Sequence, residues 1–291
     1  MPNKKFILST IMIAMCFTSP VSFIAHGATQ NIDNKEIYQE KGQYTMNHIS
    51  LHNTDTSSQN YTLRNNSSAN TDREYTAFLQ DNPEIKKEID SNKEKGLILE
   101  DIAFTTVYLK EVSDQSNNYH YKPMTIDEYN KTKLLRSQST SYHNLTISLQ
   151  YYRDSWNAGK ATVNQQAVWK TGSSDSYGPV ASNDDFIALT VAKNYSITSH
   201  GMYGVATGVA QKSSSDNGVA YRFREHGGSQ TLTTNTSYTS YSGQRLFVGS
   251  YIHTWSNIDI SFSFGWTGPA FSISGSNKNW DIACDLRKTS D

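Results

Sequence analysis

The residues with the clearest capacity for chemistry are two adjacent acids, Asp184 and Asp185, at the entry to an apolar run. Carboxyl groups that work as general acid and general base lie roughly 5–9 Å apart across a substrate. Neighbouring residues of a strand point to opposite faces, so these two cannot form such a pair. Loop carboxylates also bind Ca²⁺, but the sequence favours a simpler role as a turn cap.

Signatures of known enzyme classes are missing. The sequence has no His-Glu-X-X-His zinc motif, no Gly-X-Ser-X-Gly nucleophile elbow and no glycine-rich phosphate loop. His226-Gly227-Gly228 resembles an oxyanion loop, but no nucleophile turn accompanies it. Cys284 alternates with Ile282 and Leu286, which predicts a core position. We therefore predict no catalytic residue, no metal site and no cofactor; a hydrolase with scattered catalytic residues is the enzymatic alternative.

Aromatic residues are the one enriched class, with 18 Tyr, 11 Phe and 5 Trp. Exposed Tyr and Trp rings bind sugar rings and lipid headgroups, because each ring has an apolar face and a polar tip. Two predicted loops contain such residues: Tyr151, Tyr152 and Trp156 in the first, and Tyr238 and Tyr241 in the second. These five are the candidate binding residues. The alternative is that they fill a β-core.

The charge balance argues against nucleic acid as a partner. The 26 basic side chains face 27 acidic ones, and loss of Lys4 and Lys5 with a signal peptide leaves 24 basic side chains and a net charge of −3. No element has the cluster of basic residues that binds nucleic acid. Tyr221-Arg222-Phe223-Arg224 comes nearest, and we interpret its arginines as the polar face of a strand.

Residues 1–28 have the organisation of a secretory signal peptide. Lys4 and Lys5 form a positive region, Phe6 to Phe17 is apolar, and small residues precede Ala28. The apolar run is shorter than the roughly 20 residues that a membrane span needs. We therefore expect a secreted, extracellular protein.

The cysteines add two expectations. Cys16 lies inside the apolar region and leaves lipid attachment open, although Met15 is not the small residue that such a signal needs. Cleavage leaves Cys284 as the one cysteine, so the mature chain has no internal disulfide. A large secreted domain without disulfides points to a Gram-positive bacterium.

The mature chain divides into three predicted parts. Residues 29–70 are polar and poor in aliphatic side chains, so we expect disorder there. Residues 71–138 form a small helix–strand–helix unit, in which Asn82-Pro83 starts a helix, Gly96 ends it and Leu97 begins a strand. A Ser-rich linker at 137–141 makes this unit either a removable pro-segment or a spacer.

Residues 139–291 have the pattern of an antiparallel β-sandwich. Apolar residues alternate with polar ones in many short runs, Asp185 to Val191 is a central strand, and Asn217-Gly218 is a turn. Thr231 to Ser242 is interpreted as an exposed strand pair or loop. Ile258 to Ile273 is a β-hairpin with an apolar row against the core and serines in water.

The order of these elements resembles a family of secreted proteins from Gram-positive bacteria whose activity is mostly unassigned. The matching landmarks are Leu145-Thr146-Ile147-Ser148-Leu149, Ala167-Val168-Trp169, Asn183-Asp184-Asp185-Phe186-Ile187-Ala188-Leu189, Asn217-Gly218-Val219-Ala220-Tyr221-Arg222-Phe223 and Gly249-Ser250-Tyr251-Ile252-His253. Large bacteriocin precursors are similar in layout, with a signal and a pro-region ahead of the C-terminal part. The resemblance implies a sandwich fold and no particular chemistry.

Two non-enzymatic functions follow as expectations. The first is a bacteriocin-like toxin that acts on the envelope or membrane surface of a target cell, because Tyr203 to Phe223 and Ile258 to Ile273 have the alternation of membrane-inserting hairpins. The second is an extracellular module that binds the producer's own cell wall or a glycan.

Overall fold

The computed structural model describes residues 46–53, 61–63, 68–113, 119–134, 142–171, 184–224, 228–239, 244–254, 258–275 and 279–289. Its helices are α1 (Ser68–Asp81), α2 (Pro83–Glu94) and α3 (Ile126–Leu134). Its strands are β1 (Met46–Asn53), β2 (Tyr61–Leu63), β3 (Leu97–Ser113), β4 (Tyr119–Met124), β5 (Tyr142–Asp154), β6 (Lys160–Thr171), β7 (Asp184–Thr190), β8 (Tyr195–Gly204), β9 (Thr207–Ser215), β10 (Gly218–Arg224), β11 (Gly228–Tyr238), β12 (Gln244–Thr254), β13 (Ile258–Gly265), β14 (Gly268–Gly275) and β15 (Asn279–Thr289). The signal peptide, Cys16, the linker at 137–141 and the His226-Gly227 pair lie outside the described residues.

The strands form two main sheets and one separate hairpin. The eight-stranded sheet has the order β2-β1-β3-β5-β6-β11-β8, with β4 also paired to β3. The five-stranded sheet has the order β15-β12-β7-β10-β9, which confirms β7 as its central strand. The pairings are antiparallel, and the predicted class, a mainly β antiparallel sandwich, is confirmed.

Period-two alternation builds the core between the sheets. On β5, Leu145, Ile147 and Leu149 are buried and face the other sheet. The residues between them point to the opposite face, where α1 and α2 pack. There Ile85 and Ile89 of α2 are buried in one cluster that also contains Phe78, Leu99, Ile102, Tyr152 and Val168.

Helix α2 begins where the sequence predicts. Asn82 is the N-cap and Pro83 the first helical residue, whose fixed φ and missing N–H suit that position. The helix ends at Glu94, and Gly96 follows at φ +80°, a conformation that glycine adopts without steric cost. The chain then enters β3, as expected.

Residues 71–138 are predicted as a separate unit, but in the structure the strands of this segment belong to the same sheet as β5. Strand β3 lies inside the eight-stranded sheet and pairs with β5 through 13 residue pairs, from Leu97↔Asp154 to Lys110↔Tyr142. The predicted boundary between residues 138 and 139 therefore falls between two neighbouring strands of one sheet. Removal of residues 29–138 as a pro-segment remains a prediction, and it would strip β5 of one of its two partners, β3.

The expectation of disorder at 29–70 is wrong in part. Residues 46–53 and 61–63 form β1 and β2, and α1 begins at Ser68. The composition does not predict these strands, because backbone hydrogen bonds to β3 need no aliphatic side chains. Strand β1 pairs with β3 from Met46↔Thr105 to Ser50↔Asp101.

The prediction of an exposed strand pair or loop at Thr231 to Ser242 is wrong for residues 231–238, and residues 240–242 lie outside the described residues. Residues 228–238 form β11, an inner strand between β6 and β8. Its threonines can be buried because their hydroxyls donate to backbone carbonyls of β6: Thr234 to Val163 at 3.0 Å and Thr236 to Ala161 at 2.9 Å. A polar sequence thus fills an inner strand.

The predicted hairpin at Ile258 to Ile273 is present as β13 and β14. Ile260, Phe262, Phe271 and Ile273 pack on Phe186 and Ile252 of the five-stranded sheet, while Ser261 and Ser272 face outward. Trp266 departs from the expected apolar row, since it lies in the turn and is 56% exposed. The other proposed hairpin, Tyr203 to Phe223, is divided between the two sheets, and Phe223 lies in the core.

In the part of the chain that the structure describes, no helix has both the length and the apolar character needed to cross a membrane.

Candidate functional site

Two of the five candidate aromatic residues are not exposed. Tyr151 and Tyr152 are each 1% exposed and lie inside β5 rather than in a loop. The Tyr151 hydroxyl is 3.0 Å from that of Tyr195 in the sandwich core, and the Tyr152 hydroxyl donates to Gln150 Oε1 at 2.6 Å under the helices. Because their hydroxyls have partners, these residues fill the core, and their assignment as exposed binding residues is wrong.

Trp156 lies at the surface, 82% exposed, in the turn between β5 and β6. Asp154 Oδ1 accepts hydrogen bonds from the Trp156 and Asn157 N–H groups at 2.8 and 3.1 Å, which fixes the turn. The indole lies over Gly96, where a Cβ would come within 2.4 Å of Trp156 Nε1. The ring is thus held on the helix side of the eight-stranded sheet. Its role in binding stays a prediction.

Tyr238 ends β11 and is partly buried. Its ring stacks on Tyr195 with centroids 4.8 Å apart, and the Arg245 guanidinium lies 5.7 Å from its centroid. The Tyr238 N–H donates to the Gly159 carbonyl at 2.8 Å, so the structure brings the Trp156 turn and Tyr238 to the same end of the sandwich. Tyr241, the fifth candidate, lies outside the described residues.

A polar surface that the sequence pattern does not predict lies beside α2. Strands β8 and β11 are neighbours at one edge of the eight-stranded sheet, and their 21 residues include no Asp, Glu, Lys or Arg. On the helix side of the sheet, paired residues of β6, β11 and β8 lie in rows that cross the three strands. We call each row a rung, and successive rungs are two residues apart along the strands. We call six of these residues the polar shelf: Thr162, Ser199, Gly201, Tyr203, Thr233 and Asn235.

Hydrogen bonds within the polar shelf hold its side chains in place. Thr162 Oγ1 donates to Asn235 Oδ1, and Asn235 Nδ2 donates to Ser199 Oγ, both at 2.9 Å. Thr233 Oγ1 is 3.4 Å from the Tyr203 hydroxyl, a weak contact. Ser199, Tyr203 and Asn235 remain exposed, so these groups are fixed and still reachable from solvent.

Helix α2 walls the shelf on one side. Glu88 Oε1 accepts hydrogen bonds from Asn92 at 2.9 Å, from Asn164 at 3.1 Å and from the Tyr203 hydroxyl at 2.5 Å. Burial, together with the hydrogen bond to the Glu88 carboxylate, raises the pKa of Tyr203 well above its ordinary value. The Tyr203 hydroxyl therefore stays protonated in the physiological range, and its ring, with the residue 46% exposed, offers an apolar face.

The adjacent acids Asp184 and Asp185 have different environments in the structure. Asp184 faces outward, with Oδ2 3.3 Å from Arg222 and Oδ1 3.7 Å from Arg224, in agreement with the interpretation of those arginines as a polar strand face. Asp185 is buried and accepts from the Tyr251 hydroxyl at 2.5 Å and the Thr254 N–H at 3.1 Å, with His253 Nδ1 at 3.0 Å. It joins β7 to the end of β12 rather than capping a turn.

Among the described residues, this acid–histidine pair comes nearest to the arrangement of an active site. The side chains of Asp185 and His253 are 0% and 2% exposed, and the rings of Trp169 and Trp280 lie 5.5 and 5.1 Å from the His253 ring. A substrate would have to displace core residues to reach the pair. Within the described ranges no three His, Cys, Asp or Glu residues are grouped so as to hold a metal ion.

Cys284 is in the core, as predicted, and is fully buried. Burial raises the pKa of its thiol to about 12. Since the thiolate is the reactive form, this cysteine is unsuited to nucleophilic chemistry at neutral pH.

The chain matches no family model and no curated protein. Among solved structures, the collagen-binding domain of a Staphylococcus aureus adhesin is similar at 7% sequence identity with a TM-score of 0.26, over 44% of this chain and 89% of that chain. The collagen adhesin of S. aureus is similar at 8% identity with a TM-score of 0.22, over 65% of this chain and 90% of that chain. TM-scores of this size carry no argument about ligand or function.

Proposed function

We propose that this chain is an extracellular, non-enzymatic binding module that attaches to a cell-envelope polymer through the polar shelf. The carrying observation is an ordered set of hydroxyl, amide and aromatic groups that remains open to solvent. Binding sites need such fixed, convergent polar groups, because ordering them beforehand lowers the entropic cost of binding.

The secreted location in this proposal rests on the signal-like residues 1–28. The absence of enzymatic chemistry rests on the burial of Asp185, His253 and Cys284. Each of these groups lies in the core, whereas the shelf presents polar groups that are both ordered and accessible.

A toxin remains the second candidate, and the amphipathic hairpin of β13 and β14 is the observation that favours it. Its apolar face is docked on Phe186 and Ile252, with Ile260 fully buried. Membrane activity would require the hairpin to leave this position. Dye release from vesicles of bacterial lipids tests the toxin. A protein that releases no dye would contradict the toxin and favour the binding module.

The test of the proposed function is sedimentation of the purified chain with isolated Gram-positive cell walls. The wild-type chain should sediment with the walls, and substitution of Asn235 or Tyr203 by alanine should return it to the supernatant. Ser272→Ala is the matched control, because it removes an exposed hydroxyl from the outer face of the hairpin. Equal sedimentation of all variants would contradict the role of the shelf.

A further inference from the structure

We infer that the ligand of the polar shelf is an uncharged glycan chain laid along β11. This inference rests on the proposed function, because it names the ligand class of the same surface. It is carried by the uncharged side chains of the shelf and by the order of its rungs.

The shelf lacks the groups that recognise charged polymers. Anionic polymers are held by Lys and Arg side chains, and the six residues of the shelf include neither. Lys160 lies on the same face beside Ser237, one rung beyond the shelf. Glu88, the acid of α2 that contacts the shelf, already accepts three hydrogen bonds and would repel an anion. Hydroxyl and amide groups match the neutral donors and acceptors of a sugar chain, and the Tyr203 ring supplies the apolar surface on which a sugar face can lie.

A folded protein partner fits the shelf less well. Stable protein interfaces have a core of desolvated apolar and aromatic anchors. On the shelf Tyr203 is the one aromatic residue, and the other members are Thr, Ser, Asn and Gly. Such a surface would bury polar groups without an apolar centre, whereas a hydrated glycan brings its own hydrogen-bonding groups.

The rungs give the ligand a direction. Tyr203 pairs with Thr231, Gly201 with Thr233 and Ser199 with Asn235, and a β-bulge follows Asn235. Rungs two residues apart are spaced by about 6.7 Å, so these three extend over about 13 Å. Gly201 lies in the middle of this path, and a Cβ added there meets no heavy atom within 4 Å, which leaves the path open.

Trp156 lies off this path. Its indole packs on Gly96, the residue before β3, and β5 and β6 separate β3 from β11 in the sheet. The proposed path along β11 therefore does not use this indole.

The first experiment identifies the ligand class by competition. Sedimentation with cell walls is repeated with soluble neutral glucan, galactan and mannan, and separately with polygalacturonate and teichoic acid, in 0.05 and 0.5 M NaCl. We expect a neutral polysaccharide to compete and the higher salt to change binding less than twofold. Competition by the anionic polymers alone, with a tenfold loss in high salt, would overturn the neutral ligand while the shelf substitutions still support the proposed function.

The second experiment tests the path. Asn235→Ala should weaken binding of the competing polysaccharide about tenfold, because it removes the amide at the third rung. Trp156→Ala is the control and should change the affinity less than twofold, since its indole packs on Gly96 away from β11. Equal effects of the two substitutions would overturn the path along β11.

Discussion

Thr162 and Asn235 face each other across β6 and β11, and Thr162 Oγ1 donates to Asn235 Oδ1 at 2.9 Å. This bond orients the Asn235 amide, so that its nitrogen donates to Ser199 on the far side. The amide thereby bridges three strands at the surface. We regard Asn235 as the central residue of the shelf.

Asn235→Ala should weaken binding to cell walls about tenfold, because it removes the bridging amide and leaves the flanking hydroxyls free to rotate. Thermal unfolding should change little, since the side chain is exposed. A binding isotherm with labelled protein measures the effect, with Ser272→Ala as control. Unchanged binding by a folded Asn235→Ala chain would contradict this assignment.

Tyr203 should contribute through both its ring and its hydroxyl. Tyr203→Phe keeps the ring and loses the hydrogen bond to Glu88, so we expect a roughly threefold weaker affinity. Tyr203→Ala also loses the ring and should weaken affinity tenfold or more. The two isotherms separate the contributions, and a phenylalanine variant as weak as the alanine variant would show that the ring is not used.

The fold was largely predictable because strand patterns are local. Alternation along β5, β13 and β14, the Asn217-Gly218 turn and the Asn82-Pro83 helix start follow from neighbouring residues alone. What alternation cannot give is the pairing partner. Strand β3 joins β5 through long-range hydrogen bonds, and the sequence does not record that such a partner exists.

The site was less predictable for the same reason. An aromatic pair close to Trp156 predicts a loop that binds through its rings, whereas β5 continues to Asp154 and buries both Tyr151 and Tyr152. The shelf did leave one signal, the absence of charge from residues 195–204 and 228–238. The lack of charge indicates a common surface only because the two segments are neighbouring strands in the structure.

Asp185 should contribute to the free energy of unfolding. Asp185→Ala removes the acceptor for Tyr251, His253 and the Thr254 N–H inside the core, and should lower the free energy of unfolding by roughly 2–4 kcal/mol. Asp184→Ala, the adjacent control, breaks a half-exposed ion pair with Arg222 and should cost less than about 1 kcal/mol. Urea unfolding measures both, and similar losses would contradict the assignment.

His143 should make stability fall in acid. It is 5% exposed, neither ring nitrogen has a hydrogen-bond partner among the described residues, and burial lowers the pKa of its imidazole to about 4. The unfolded chain takes up this proton near pH 6.5 and the folded chain near pH 4, so between these values acid favours unfolding.

Urea unfolding between pH 7.5 and 4.5 measures this effect. The wild-type chain should lose up to about 1.4 kcal/mol per pH unit through His143 below pH 6.5, and His143→Phe should flatten the slope by that amount. Identical slopes for the two chains would show that His143 titrates alike in the folded and unfolded states.

Residues 71–134 should be needed for folding. A chain that begins at Tyr142 lacks β3 and leaves β5 as a long unpaired edge, with Leu145, Ile147 and Leu149 deprived of neighbours such as Val107. We expect this truncated chain to aggregate, whereas a chain that begins at Ser68 folds with a cooperative thermal transition. A soluble, cooperatively unfolding chain from Tyr142 would instead support a removable pro-segment.

Gly201→Leu gives the most direct test of the shelf, because it adds a side chain to the ligand path and removes no native group. A Cβ at this position meets no heavy atom within 4 Å, so the substituted chain should fold normally. The measurement is the binding isotherm of the folded wild-type and Gly201→Leu chains with the competing neutral polysaccharide. The account predicts a loss of at least tenfold in affinity, and an unchanged isotherm would show that the ligand does not lie on the shelf.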